Sequence, residues 1–411
     1  MKIRDVRKEK RGTRVRVSAR VEWEDSPQPS LDLFYEADEP FGGEMSADPN
    51  AFLTACILPA MRHGERRVAL EGPVCPRLAE GLFTAIELLR SWFGPPRREV
   101  RIEPAKGYRA PFPRRPGRSA LFFTGGLDSL HLLRRNRIEY PRSHSESFQD
   151  ALAVSGFLPD RLGAPGRNRS RIALSEIAAE AGVRLVAVET NLNRFETDLN
   201  FFAEEYIGAA LCSAAHLFAG SLTSVSLASG RNVRLLVPRG THPLLDPCFT
   251  SGALEVRHSG IHYSRIERLR EICRWDLAVK NLVVCLQDAP ASFLNCGRCE
   301  KCLRTMTALT ALGRLADTRE FPVLEVSAAA IESVSITPHV ADYWRDLLEP
   351  LRKRGRDDLA SAVLRKLEGA DRAKKWFEEA GWKGALRKLD RRVLGGGALR
   401  LRRTLRKASA R

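Results

Sequence analysis

Three cysteines stand within seven residues, Cys296-Gly297-Arg298-Cys299-Glu300-Lys301-Cys302, and Cys285 lies eleven positions before the first of them. Thiolates spaced this closely can share one metal ion, whereas a disulfide framework disperses its cysteines and a redox pair needs only two. The spacing predicts a structural zinc held by four thiolates, in preference to a redox or iron-sulfur role. Cys285 is the expected fourth ligand, with Cys273 and Cys248 as competitors. A second string that can do chemistry is Thr124-Gly125-Gly126-Leu127-Asp128-Ser129, placed between an apolar run at 120–124 and a helical pattern. Paired glycines let the backbone approach an anion. The amides of Gly125 to Ser129 and the helix N-terminus then point at it, and the hydroxyls of Thr124 and Ser129 add donors. No Gly-Lys-Ser/Thr follows, so this is neither a Walker loop nor a dinucleotide fingerprint.

The elements that must position these strings are legible from periodicity. Strict alternation of Val15, Val17, Ala19 and Val21 with polar neighbours predicts a half-buried strand. Further strands are expected at 31–35, 67–70 and 100–102, with helices at 51–61 and 77–93, giving a small N-terminal α/β domain over residues 1–112. Prolines at 95, 96, 104, 111, 113 and 116, with Arg114, Arg115 and Arg118 among them, mark a linker. Beyond it, strands at 120–124, 151–155 and 185–189 alternate with helices at 128–135 and 172–181, leaving 136–149 and 159–171 as polar loops. Such alternation predicts an α/β fold with a parallel, doubly wound, Rossmann-like sheet whose ligand binds beyond the carboxyl ends of the strands. That domain is expected to span 118–312, with its zinc knuckle at 285–302. Residues 330–411 are expected to form a helical, basic C-terminal region with a glycine break at 395–397.

The chain has 411 residues, 44% of them apolar, which excludes a disordered, collagen-like or disulfide-knot protein. Its formal charge of +17 is concentrated at one end. Residues 351–411 hold 20 Lys plus Arg against 7 Asp plus Glu, leaving only +4 for the rest. A basic tail on a nearly neutral body suits docking to tRNA or an acidic partner, or is a solvated helical face. Tyr206 to Gly230 contains no Lys, Arg, Asp or Glu, yet its serines and Gly220 argue against a membrane span. A buried helix followed by a buried strand is expected there. The N-terminus offers no apolar stretch of the secretory kind, and with the crowded thiols this points to a reducing cytoplasm.

The loop string resembles the Ser-Gly-Gly-x-Asp-Ser loop of the PP-loop ATP pyrophosphatases, with Thr124 in place of the first serine. The run from Cys285 to Cys302-Leu303-Arg304 resembles the C-terminal zinc knuckle of 7-cyano-7-deazaguanine synthases, which are themselves PP-loop enzymes. The resemblance covers residues 118–312 and implies an adenine nucleotide alpha hydrolase-like fold that uses ATP and Mg2+. The implied reaction is adenylation of a carbonyl or carboxylate oxygen with release of pyrophosphate, followed by displacement of AMP by a nitrogen or sulfur nucleophile. It implies that Gly125, Gly126 and Ser129 cradle the pyrophosphate, that Asp128 positions Mg2+ or braces the loop, and that Arg265 reaches the phosphates. His242 and Asp246, in Gly240-Thr241-His242-Pro243-Leu244-Leu245-Asp246-Pro247, become acceptor-side candidates, and Thr190 and Asn191 are expected to line the same cleft. A homodimer and a small-molecule or peptide acceptor also follow from the resemblance. Two alternatives stand beside it: a tRNA-modifying PP-loop enzyme of the thiolase or lysidine-synthase type, and a non-catalytic module that binds a nucleotide or partner around a structural zinc.

Overall fold

The computed structural model describes residues 1–109, 117–157, 163–285 and 287–379, with 373–379 described by backbone alone. The proline-rich stretch at 110–116, part of a polar loop at 158–162 and the basic tail from 380, including its glycine break, lie outside the described residues.

β1 (Lys2–Arg11), β2 (Arg14–Glu22) and β3 (Leu31–Asp38) form an antiparallel meander. The alternation in β2 works as expected: Val15, Val17, Ala19 and Val21 are buried, while Arg14, Arg16 and Arg20 pair with Glu36 and Asp32 of β3. α1 (Pro49–His63) opens on Asp48, whose carboxylate accepts from Asn50 N at 2.9 Å, and closes on Gly64 at φ +82°. β4 (Arg67–Leu70), α2 (Pro76–Phe93) and β5 (Arg101–Pro104) complete this half, with β4 parallel to both β1 and β5.

The second half alternates β6 (Arg118–Phe122), α3 (Leu127–Glu139), β7 (Phe148–Ser155), α4 (Gly163–Ala181), β8 (Arg184–Thr190), α5 (Ile207–His216), β9 (Leu222–Ala228) and β10 (Glu255–Ser259). α4 takes up residues 163–171, which the sequence reading left as loop. Pro165 sits in its first turn, where a missing N–H costs nothing. The charge-free stretch becomes α5 and β9, and among the described residues no helix is long and apolar enough to cross a membrane.

All ten strands belong to one sheet, in the order β10-β9-β6-β7-β8-β3-β2-β1-β4-β5. β10, β9, β6, β7 and β8 are mutually parallel, and the halves join where β3 runs antiparallel to β8 through Tyr35↔Thr190 and Glu36↔Glu189. The N-terminal strands thus extend the parallel strands of the second half into one continuous sheet. One hydrophobic core runs from Ile3 and Val17 through Phe52 and Phe122 to Cys212 and Val256. Alternate residues of β6 feed different cores: Ala120 and Phe122 enter this one, whereas Leu121 and Phe123 enter a second beneath α3 and α4. Buried Asp150 takes Arg118 at 2.8 Å and Arg184 at 2.6 Å, stapling β6, β7 and β8 together. Beyond β10 come α6 (Arg265–Ile272), α7 (Glu300–Ala311), α8 (Ala341–Arg345) and α9 (Asp357–Glu379), whose apolar sides complete the second core.

Candidate functional site

The glycine string lies where the parallel strands end. Phe123 N–H still donates to Leu152 O on β7 at 2.8 Å; the chain then turns through Gly125, at φ +69°, into α3 with Gly126 as its N-cap. A Cβ on Gly125 would lie 2.9 Å from Leu174 Cδ2, so both the space and the backbone angle call for glycine. Gly126 N–H donates to Thr124 Oγ1 (3.3 Å), Thr124 N–H to Ser129 Oγ (3.3 Å), and the Ser129 hydroxyl to Gly126 O (3.1 Å). These are long bonds that an anion's oxygens can replace at small cost. Val283 N–H donates to Gly125 O at 3.2 Å, so the segment leading to Cys285 is docked on the loop.

Asp128 faces two arginines. Its Oδ1 is 2.6 Å from Arg268 Nη1 and its Oδ2 is 3.9 Å from Arg265 Nη1. Arg268 is 2% exposed and also donates to the carbonyls of Ser229, Arg231 (3.3 Å) and Gly260 (2.9 Å), tying the ends of β9 and β10 to the loop. Through this contact Asp128 ties the start of α3 to α6. The sequence reading singled out Arg265 and missed Arg268. The signal was present: Ser264 and Glu267 form a capping box that fixes the start of α6, and a residue three beyond Arg265 shares its face.

A third arginine arrives from the cysteine segment. Arg304 is only 5% exposed, with its Cζ 4.8 Å from the Tyr343 ring centroid and its Nη1 3.2 Å from Glu300. Neither its Nε nor its Nη1 makes a hydrogen bond. Burial, and then neighbouring Arg265, lowers its pKa to about 10, so it stays charged at neutral pH.

The ligand atoms of Cys285, Cys296, Cys299 and Cys302 lie within 4.8 Å of one another, and these four thiols can hold a zinc ion. The Cys285–Cys299 and Cys296–Cys302 sulfur separations are both 3.8 Å. A tetrahedron with Zn–S bonds of about 2.3 Å has edges of about 3.8 Å, whereas a disulfide needs about 2.0 Å. Backbone N–H groups of Gln287 (3.2 Å) and Cys299 (3.3 Å) donate to the sulfurs of Cys285 and Cys296. Cys285 therefore completes the four-thiol group, while Cys273 and Cys248 lie outside it.

The remaining expected site residues make the following contacts. Asp246 is 0% exposed: its Oδ2 is 2.7 Å from His258 Nδ1 and its Oδ1 accepts from His242 N at 3.2 Å. Burial raises the Asp246 pKa and the bond to His258 opposes the shift. His242 packs edge-on against Trp92 of α2, 4.9 Å between ring centroids. These contacts pin the loop before β10 onto the first core. Asn191 bonds both Phe34 N and Asp32 O at 2.9 Å, and Thr190 pairs with Tyr35, so both serve the β3–β8 junction.

His131, one turn beyond Asp128, is 3% exposed, stacks edge-on against Tyr263 at 4.6 Å, and has no hydrogen-bond partner on Nε2. Burial, followed by Arg268 and Arg135, lowers its pKa to about 4. The folded value lies below the unfolded one of about 6.5, so the unfolded chain takes up the proton first. The stability contributed by the neutral ring is complete above about pH 6.5 and is lost as pH falls towards 4. Between about pH 7 and pH 4.5 the native protein should lose about 2–3 kcal/mol that His131→Phe retains. Urea unfolding of both proteins at the two pH values checks this, and equal losses would rule His131 out as the source.

No family model, curated protein or solved structure matches the chain.

Proposed function

We propose that the chain is an ATP-dependent adenylating enzyme of the PP-loop type, acting on a carbonyl or carboxylate oxygen. One observation carries the reading: a glycine turn opening a helix at the end of β6 is met by Arg265 and by buried Arg304, which has spare donors. Anion-directed amides and desolvated guanidinium groups at one point suit a polyphosphate better than a neutral ligand.

In this reading the β- and γ-phosphates lie against the amides of Gly125 to Ser129. The acceptor oxygen attacks the α-phosphorus and the bond to the bridging oxygen breaks. Pyrophosphate leaves with the electron pair. Ammonia, an amine or a sulfur nucleophile then attacks the acceptor carbon and expels AMP. Arg265 and Arg304 offset the charge that grows on the leaving pyrophosphate, the principal task of such a site. Arg268 is a positioning residue acting through Asp128. Mg2+ enters on the nucleotide's own phosphates, since Asp128 is already paired. Four thiolates leave zinc no open position, so its part is to seat Val283 and Arg304.

The test is purified protein with Mg-ATP and ammonium, alone and with metabolite, RNA or protein fractions of a cell extract, resolved chromatographically. AMP and pyrophosphate are expected with one fraction, and the Asp128→Ala, Ser129→Ala double variant should lose about 100-fold or more. Release only with RNA would make this a tRNA-modifying enzyme. If no fraction yields AMP, the chain is a non-catalytic module and the proposal fails.

A further inference from the structure

The anion subsite at Arg304 is shut. The cavity beside it has Arg265, Arg304, Thr305 and Tyr343 on one part of its wall and apolar side chains, among them Leu127 and Leu269, on the rest, with a volume of about 10 Å3, room for at most one water. Tyr343 of α8 lies over Arg304, its ring centroid 4.8 Å from Arg304 Cζ, and its hydroxyl donates to Gly230 O at 3.3 Å. Arg231 Cζ lies 6.0 Å from the same ring. The next residue, Trp344, is 0% exposed and donates from Nε1 to Glu300 at 2.9 Å. The helix is therefore anchored by Trp344, while the polar end of Tyr343 is held by one long hydrogen bond. Beneath the ring, Arg304 keeps two buried nitrogens without hydrogen bonds. The buried charge is compensated by the Glu300 carboxylate at 3.2 Å and by the aromatic face of Tyr343.

We propose that Tyr343 is the gate of this subsite: it covers Arg304 in the free protein and swings aside when a polyphosphate arrives, exchanging an aromatic face for phosphate oxygens. The proposal rests on reading the cleft as a nucleotide site. A side-chain rotation suffices, because Trp344 keeps α8 seated throughout. No phosphoryl group fits the closed space, so anion access to Arg304 requires this movement. The gate belongs to the helices after residue 312, outside the stretch that resembles PP-loop enzymes. Those helices thereby regulate a site built by the sheet.

Stopped-flow and calorimetric binding of Mg-ATP and of inorganic pyrophosphate to the full chain, Tyr343→Ala and Tyr343→Phe tests it. The ring competes with phosphate for Arg304. Tyr343→Ala should therefore associate faster and bind about two- to tenfold more tightly, the range of a lost cation–π contact. Tyr343→Phe, which loses only the bond to Gly230, should fall between alanine and the native protein. It also stands in if alanine does not fold. Binding by Tyr343→Ala where the native chain is silent would support the gate most strongly. Equal or weaker binding by a folded Tyr343→Ala would overturn it while leaving the nucleotide reading intact. Silence from all three proteins towards both probes overturns the nucleotide reading and the gate with it.

Discussion

Replacing Cys302 by serine should empty the zinc site and lower stability by more than about 4 kcal/mol, in the range reached when a structural metal is lost. Cys302 is fully buried in the first turn of α7, 3.8 Å from Cys296, and belongs to the second core. A serine hydroxyl is not a thiolate, and the three remaining sulfurs cannot close a tetrahedron. The segment from Val283 to Arg304 then loses the clip that holds its loop, and with it the docking of Val283 on Gly125. Elemental analysis should fall from about one zinc per chain towards none, and a chelator acting on the native protein should give the same lowered midpoint of thermal unfolding. Full zinc occupancy in Cys302→Ser would mean that the ligand set is wrong.

Arg268→Ala should cost about 2–4 kcal/mol, because it leaves buried carbonyls without their donor and Asp128 without its partner. The fork of Arg268 serves Asp128 and three carbonyls at the ends of β9 and β10. Alanine leaves those acceptors unpaired and lets the loop relax away from α6. Lysine restores the charge but not the planar fork, so Arg268→Lys should recover only part of the loss. Asp128→Asn should be milder, because that side chain is partly solvated. A double-mutant cycle on the two should show a coupling of about 1–3 kcal/mol in urea unfolding, and additive effects would deny the clamp.

Local chemistry was readable in the sequence; long-range connection was not. The glycine string, the four thiols and the alternation of β2 each depend on a few adjacent residues, and each lies where its pattern placed it. β1 escaped notice because Lys2–Arg11 is charged on its outward face and carries a bulge between Arg4 and Arg7, with Asp5 at φ +52°, that breaks the two-residue period. The junction of β3 and β8 joins residues more than 150 positions apart through two register pairs, which no window of sequence displays. The surroundings of His242 and Asp246 were equally hidden. His242 and Asp246 look like exposed turn residues until Trp92 and His258 arrive from elsewhere in the chain. Arg304 stood beside the cysteines in plain view, and only Tyr343, 39 residues later, gives it an environment.

The unbroken sheet also limits how this molecule can move. Enzymes that close on nucleotides commonly do so by swinging one rigid body against another about a few loop residues. Here the β-meander and the parallel strands share backbone hydrogen bonds and a common apolar interior, which opposes such a swing among the described residues. Bending there would break the ladder at Tyr35 and Glu36 and open the packing around Phe52 and Phe122 together. The elastic freedom left for opening and closing resides in the connections beyond the strand ends and in the helices that follow α7. The first hundred residues act as a stiff backplate against which those parts must work.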